Sequence, residues 1–276
     1  MTLINDFKGI MKEEFEMTDM GKLQYFFGME VSYEYGNITL SQKKYMRSLL
    51  EKYRMSQCNS VSTPMEYGLK LSKEDPEIFG DEGIYRSLVG SLMYLTNTRQ
   101  DIMFAVSKIS RFMECPKKSH WEAGKRILKY IKGTINQEIT YSKGGKGKLV
   151  GFSDSDYAGN VDDSKSTSGY IFHLGSGPIS WQSKKQKVVA LSSKEVEYKA
   201  LSLTGCQTIW IKGILDELQG KVEYPIPIYC DNKSTICLAK DPVYHGKSKH
   251  IRVEYHFIRD LIKKGDVEVC FCDTKD

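Results

Sequence analysis

Three acids in this chain have the types and spacing to hold metal ions. Asp154 closes an apolar run, KLVGFSDSDYAG over 148–159, and Asp231 closes a second, PIPIYCDNKS over 225–234; Glu197 lies between them in ALSSKEVEYKA, 190–200. Strand periodicity places Val150, Phe152, Asp154 and Asp156 on one side and Leu149, Gly151 and Ser153 on the other, so carboxylates follow bulky residues off the buried edge of a sheet. Hard divalent cations take anionic oxygen donors of this kind. Two such ions, about 3.5–4 Å apart, support in-line displacement at phosphorus, one activating water and the other steadying the leaving 3′ oxygen. Taken singly, each acid also suits a plainer role. Acids after a strand are common in solvated turns, and Asp231-Asn232 suits an Asx turn opening a helix at Ser234.

The elements around these acids follow from pattern. A helix is predicted from about Ser193 to Leu218, with Ser192 and Glu195 as a capping box and Lys199 pairing with Glu195 on an exposed side. Glu197 shares its face with Leu201, Thr204, Thr208, Ile211 and Leu215, which turns it toward the sheet, where a charge needs a partner or a metal. Before that helix, SGYIFHLG and PISWQSKKQKVVALS read as two strands joined at Ser176-Gly177-Pro178, forming an antiparallel meander with the strand that ends at Asp154. Lys184, Lys185 and Lys187 suit an exposed edge. A strand after a long crossover helix is most simply parallel to the first, so Ile226 to Cys230 should deliver Asp231 to the same edge as Asp154. A late helix follows with Ile251, Tyr255, Ile258 and Ile262 inside and Gly265 at its stop, then a final strand, VEVCFC. His250 and His256 are six apart and share no helical face, so they are not joint metal ligands.

The first half is patterned differently. Ile4, Phe7, Met11 and Phe15 predict a helix from about Leu3 to Phe15 with its apolar face in a core. Tyr35-Gly36-Asn37 turns a hairpin, and Ser41 is placed to cap a helix bearing Tyr45, Leu49 and Tyr53. Periodicity disappears over 57–83, which reads as a linker. Three helices are expected beyond it: one with Tyr85, Leu88, Leu92 and Leu95, one from Asp101, and one from Ser119 to Lys132. The third has Ser119 and Glu122 as a capping box, Gly133 as a left-handed stop, and Arg126, Lys129 and Lys132 on a solvated side. Glu138 to Tyr141 reads as a strand turning through SKGGKGK into the strand at 148; that loop lacks the GxxxxGK[ST] order of a phosphate-binding loop.

A length of 276 residues suits about two domains, and a net charge of +5 is compatible with a polyanionic partner without requiring one. Seven cysteines without a CxxC pair suit free thiols in a reducing compartment. The start is not a signal peptide, and no stretch is apolar enough to span a membrane, so an intracellular protein, cytoplasmic or nuclear and not secreted, is expected.

From Leu149 onward the chain resembles the ribonuclease H domain of copia-type LTR retrotransposon Pol polyproteins, through GFSDSDYAG, DDSKSTSGYIF, ISWQSKKQ, ALSSKEVEY and YCDNKS in that order. Residues 1 to about 140 resemble the tail of the same family's reverse transcriptase, through FEMTDMGKLQYFFGMEV, YRSLVGSLMYLTNTRQDI and KYIKGT. The resemblance implies an α/β chain, an α+β tail followed by a ribonuclease H-like fold whose mixed five-stranded sheet has three antiparallel strands followed by parallel ones, flanked by helices. It divides the chain into a polymerase palm/thumb remnant (1–56), a linker (57–83), a helical thumb/connection-like region (84–140) and a ribonuclease H-like domain (141–276). It implies two-metal hydrolysis of the RNA strand of RNA/DNA hybrids by an endonuclease using Mg²⁺ or Mn²⁺. Asp154, Glu197 and Asp231 match the metal-binding acids, with Asp156 and Glu195 as secondary candidates; His250 and His256 match recurring histidines without an assigned task. The family's polymerase Tyr-X-Asp-Asp motif falls upstream of Met1, so DNA synthesis is not expected and an upstream polymerase part is the implied partner. The fourth acid falls in an Ala-Asp segment beyond Asp276, which leaves an alternative: a weakened or inactive remnant that only binds nucleic acid or protein. Gln100 stands where the family has proline.

Overall fold

A computed structural model describes residues 2–143, 147–219, 222, 225–240 and 253–273. The chain opens with α1 (Thr2–Glu14), followed by β1 (Tyr25–Phe26), β2 (Met29–Glu34) and β3 (Asn37–Ser41). With β4 (Ile139–Tyr141) these strands make an antiparallel sheet in the order β1-β2-β3-β4. Tyr35 and Gly36 both have positive φ, 50° and 85°, the two-residue turn whose twist matches a hairpin.

Four helices build the first core: α2 (Lys43–Lys52), α3 (Glu82–Leu95), α4 (Met103–Ile109), flanked by 3₁₀ turns at Gln100–Ile102 and Ser110–Phe112, and α5 (Lys118–Gly133). Leu88, Leu92, Ile102, Ile109, Ile127 and Leu128 are fully buried between them. The 57–81 stretch has no helix or strand, as its composition predicts, yet it is no free tether. Leu71 is buried, and Val61, Met65, Leu69 and Phe79 pack on the helical core.

The second core lies on a five-stranded mixed sheet of β5 (Leu149–Ser155), β6 (Thr167–Leu174), β7 (Gly177–Lys185), β8 (Ile226–Cys230) and β9 (Val267–Phe271), in the order β7-β6-β5-β8-β9. The first three are antiparallel, while β8 and β9 run parallel to β5. This is the ribonuclease H-like arrangement that the resemblance implies. The long helix α6 (Ser193–Gln219) crosses β5, β6 and β8, with Leu201, Thr204, Thr208, Ile211 and Leu215 buried beneath it. α7 (Lys233–Lys240) and α8 (Phe257–Lys264) pack beside α6, and Gly265 ends α8 with φ 76°, as its sequence position predicts. The helical half rests on the meander through Trp181, whose Nε1 donates to the Thr96 carbonyl at 2.8 Å, and through Arg111, which donates to Thr167 Oγ1 at 2.9 Å.

Several expectations change. The apolar face of α1 is not in a core: Ile4, Phe7 and Phe15 are 63%, 61% and 58% exposed, because no other described element lies over it. Ser41 is the last residue of β3, and the cap position of α2 belongs to Gln42, whose buried Oε1 accepts from Thr98 Oγ1 at 2.7 Å instead of capping. Gly133 is the last helical residue of α5 and not a left-handed stop; a Cβ there would meet Ser60 Cβ at 2.9 Å, so close approach explains the glycine. Two of the three cations expected on the solvated side of α5 are engaged, Arg126 with Glu66 at 2.9 Å and Lys132 with the Cys58 carbonyl at 2.6 Å. β4 pairs with β3 and lies in a different sheet from the strand at 149–155, so the two strands do not form a hairpin.

The expected Ser119/Glu122 box is also replaced. Ser119 Oγ donates to Asp75, Glu122 pairs with Lys125 at 3.1 Å, and His120 Nδ1 accepts the Lys117 N–H at 3.0 Å. His120 is fully buried with its Nε2 3.1 Å from the Ser72 carbonyl, so the neutral Nε2–H form satisfies both neighbours. Burial holds its pKa below the usual value, against the opposing pull of Asp75. A histidine depressed in the folded state favours folding fully above its unfolded value of about 6.5 and loses that contribution as pH falls through the folded value. The stability advantage of the parent over His120→Asn should therefore shrink as pH drops below about 6.5, read by urea unfolding across pH. A pH-independent difference would refute it.

Candidate metal centre

The parallel pairing of β5 with β8 sets Gly151 opposite Ile228 and Phe152 opposite Tyr229. Carried two residues on, the same register brings Asp154 and Asp231 to one edge. Glu197 descends on that edge from the first turns of α6, with its neighbours Val196 and Tyr198 buried. Ser192 Oγ accepts the Glu195 N–H at 3.3 Å, which fixes the start of the helix and hence the reach of Glu197.

Among the described residues, one set of ligand atoms converges: Glu197, Cys230 and Asp231 each offer an atom within 4.8 Å of the others. Glu197 is 7% exposed, and its Oε2 has no hydrogen-bond partner among the described residues. Its pKa is pushed up to about 7, first by burial and then by the charges of Asp154 and Asp231; the adjacent Ser155 hydroxyl and amide oppose the shift. A buried, unpaired carboxylate oxygen among like charges is what a cation would stabilise. The two carboxylates of the set thus fit a hard divalent ion.

Asp154 is at the same edge but outside that set. Its Oδ1 accepts the Ser155 N–H at 2.8 Å, and its pKa is raised, first by desolvation and then by Asp231 and Asp156. The side of β5 that carries it is the open one, reversing the sequence expectation: Leu149, Gly151 and Ser153 are buried, whereas Phe152 and Asp154 are exposed. Only tertiary packing chooses the covered face, because α6 lies over the small side where Gly151 leaves room for Phe172. Phe152 stacks on Tyr229 with ring centroids 5.3 Å apart. A cavity of about 520 Å³ runs from Asp154 along this open face, walled by Phe104 and Met103 from the helical half and by Phe152 and Trp181.

The secondary candidates are otherwise engaged. Asp156 accepts the Thr167 N–H and closes the β5–β6 loop. Glu195 accepts the Leu191 N–H at 2.8 Å and pairs with Lys199 at 2.6 Å. That pair is buried, 3% and 6% exposed, and not on the surface as predicted, because the second half of the chain folds over this side of α6. His256 Nδ1 meets the Tyr198 hydroxyl at 3.0 Å, and His250 lies outside the described residues. Cys230 was missed in sequence; the signal available was its place beside Asp231 on the inward side of the strand, with Ile226 and Ile228.

A family model described as "Reverse transcriptase (RNA-dependent DNA polymerase)" matches residues 1–67. The chain is 41% identical over 275 residues to the "Retrovirus-related Pol polyprotein from transposon RE1" of Arabidopsis thaliana, covering 100% of this chain and 19% of that protein. It is 42% identical over 283 residues to the corresponding polyprotein from transposon TNT 1-94 of Nicotiana tabacum, covering 99% and 21%. The chain thus spans about a fifth of the length of these relatives. It belongs to the retrovirus-related Pol polyproteins of transposons. A solved ribonuclease H1 from the halophilic archaeon Halobacterium salinarum aligns with 47% of this chain and 88% of its own at a TM-score of 0.31 and 12% identity, too distant to bear on residue roles.

Proposed function

We propose that the second half of the chain is the ribonuclease H module of a Pol polyprotein, hydrolysing the RNA strand of RNA/DNA hybrids with Mg²⁺ or Mn²⁺. The observation that carries this reading is that Glu197, whose buried Oε2 has no hydrogen-bond partner among the described residues, converges with Asp231 at the strand edge that also bears Asp154. Glu197 and Asp231 would hold one ion, with Asp154 contributing to the second. When bound, the ions supply an activated water and charge stabilisation for the leaving 3′ oxygen. The chain's own residues prepare the site. The Ser155 N–H orients Asp154, the cap of α6 sets the height of Glu197, and the open face of β5 leaves an approach for a sugar-phosphate backbone recognised through phosphates and 2′-hydroxyls.

The first half, on this reading, is the tail of the polymerase. The match over 1–67 and the uncovered face of α1 support docking against the polymerase part present in longer relatives. The division at 1–56, 57–83, 84–140 and 141–276 belongs to the same proposal, with β4 attached to the first sheet. All seven cysteines are free, which supports work in the reducing cytoplasm or nucleus. No described helix is long and apolar enough to cross a membrane.

The test is cleavage of an end-labelled RNA/DNA hybrid by the purified chain in Mg²⁺ or Mn²⁺. Activity should disappear in EDTA and in Asp154→Asn and Asp231→Asn. Cleavage that survives both substitutions refutes the assignment. Hybrid binding that weakens with salt, without turnover, would give the binding-module reading, which the position of Asp154 outside the converging set favours.

A further inference from the structure

The corner of the sheet that holds Glu197 and Asp231 contains a donor that hydrolysis with a hard cation does not require. We propose that Cys230 makes this a mixed oxygen–sulfur site that takes a thiophilic dication, Zn²⁺ or Cd²⁺, through its sulfur together with Glu197 and Asp231. The assignment concerns the same corner as the proposed nuclease centre but does not depend on that centre being active.

Three observations carry it. Cys230 is 1% exposed on the inward side of β8, in one buried cluster with Tyr198 and Leu201 of α6, which puts its sulfur on the side from which Glu197 descends. Its Sγ, one carboxylate oxygen of Glu197 and one of Asp231 all lie within 4.8 Å of one another. The Oε2 of Glu197, a residue 7% exposed, has no hydrogen-bond partner among the described residues. Two oxygens and one sulfur leave a fourth position for water, the donor count of an open tetrahedral zinc site. Softness then separates the ions: a thiolate selects Zn²⁺ and Cd²⁺, whereas Mg²⁺ binds the carboxylates and ignores sulfur. Binding displaces the thiol proton to solvent as the metal–sulfur bond forms.

The experiment titrates the metal-stripped chain with Cd²⁺ and follows the sulfur-to-cadmium charge-transfer absorption in the ultraviolet, with calorimetry in parallel. One equivalent should produce the band. Cys230→Ser should remove it and weaken Cd²⁺ binding by on the order of tenfold or more, with Mg²⁺ affinity unchanged. A second variant guards against misfolding of the first. The other six cysteines are exposed or half-buried, so a chain keeping Cys230 as its only cysteine should retain the band at one equivalent. Absence of the band in the parent or in the Cys230-only chain would overturn the proposal, as would an undiminished band in Cys230→Ser. Hybrid cleavage is measured separately, so a failed nuclease assay leaves this result standing.

Discussion

Replacing Arg99 with alanine is expected to lower the unfolding free energy by about 3–5 kcal/mol, read from urea denaturation. Arg99 is 2% exposed, yet its guanidinium is fully engaged. Nε and Nη2 donate to the two carboxylate oxygens of Asp101 at 2.9 and 2.7 Å. Nη2 also reaches Thr134 Oγ1 at 2.6 Å, and Nη1 reaches the Thr134 carbonyl at 3.1 Å, just past the end of α5. One side chain thereby ties the 3₁₀ turn before α4 to the C-terminal end of α5, where carbonyls lack helical partners and a cation is favoured. Burial raises the Asp101 pKa, but the hydrogen bonds and charge of Arg99 outweigh it and hold the carboxyl below its ordinary value. Truncation leaves that carboxylate partly buried without its cation, the mechanism behind large losses when one partner of such a pair is removed. Arg99→Lys should recover little, because an ammonium cannot make the two-pronged contact. Arg99→Met combined with Asp101→Leu should recover most of the loss by removing both charges. A change below about 1 kcal/mol in Arg99→Ala would place the pair with ordinary surface bridges and refute the argument.

Glu197→Gln is expected to pull activity and stability in opposite directions. Hybrid cleavage should fall to background, because a neutral amide cannot hold the cation. The metal-free protein should become more stable at neutral pH, by about 2–3 kcal/mol, because the substitution removes a buried charge repelled by Asp154 and Asp231. The sign follows from the shift. The folded-state pKa, about 7, lies above the ordinary glutamate value of 4.5, so between those values the folded chain binds more protons than the unfolded chain. The glutamate's contribution is therefore fully present below about 4.5 and lost as pH rises through about 7. In EDTA, parent and Glu197→Gln proteins should diverge across that window; saturating Mg²⁺ should restore parent stability and leave the variant unchanged. Equal stabilities at pH 5 and pH 8 in EDTA would refute the electrostatic account.

The sequence by itself determined the elements whose signals are local. Alternation in 149–155 and 226–230 marks strands, the spacing from Glu197 to Leu215 marks the inward face of α6, and Tyr35-Gly36 marks the hairpin. Each depends on residues that are neighbours in the chain, where backbone geometry alone fixes which side chains share a face. It also legibly carried the family, because the motif strings lie in order along the chain. What only the tertiary structure decided are relations between distant segments. β4 pairs with β3 across about a hundred residues, Arg99 reaches Thr134, and Lys199 and Glu195 become a buried pair because later elements fold over α6. Cys230 and Glu197 converge for the same reason. Burial and hydrogen-bond partnership are set by whatever segment arrives alongside, and periodicity gives the direction a side chain faces but not what it meets there.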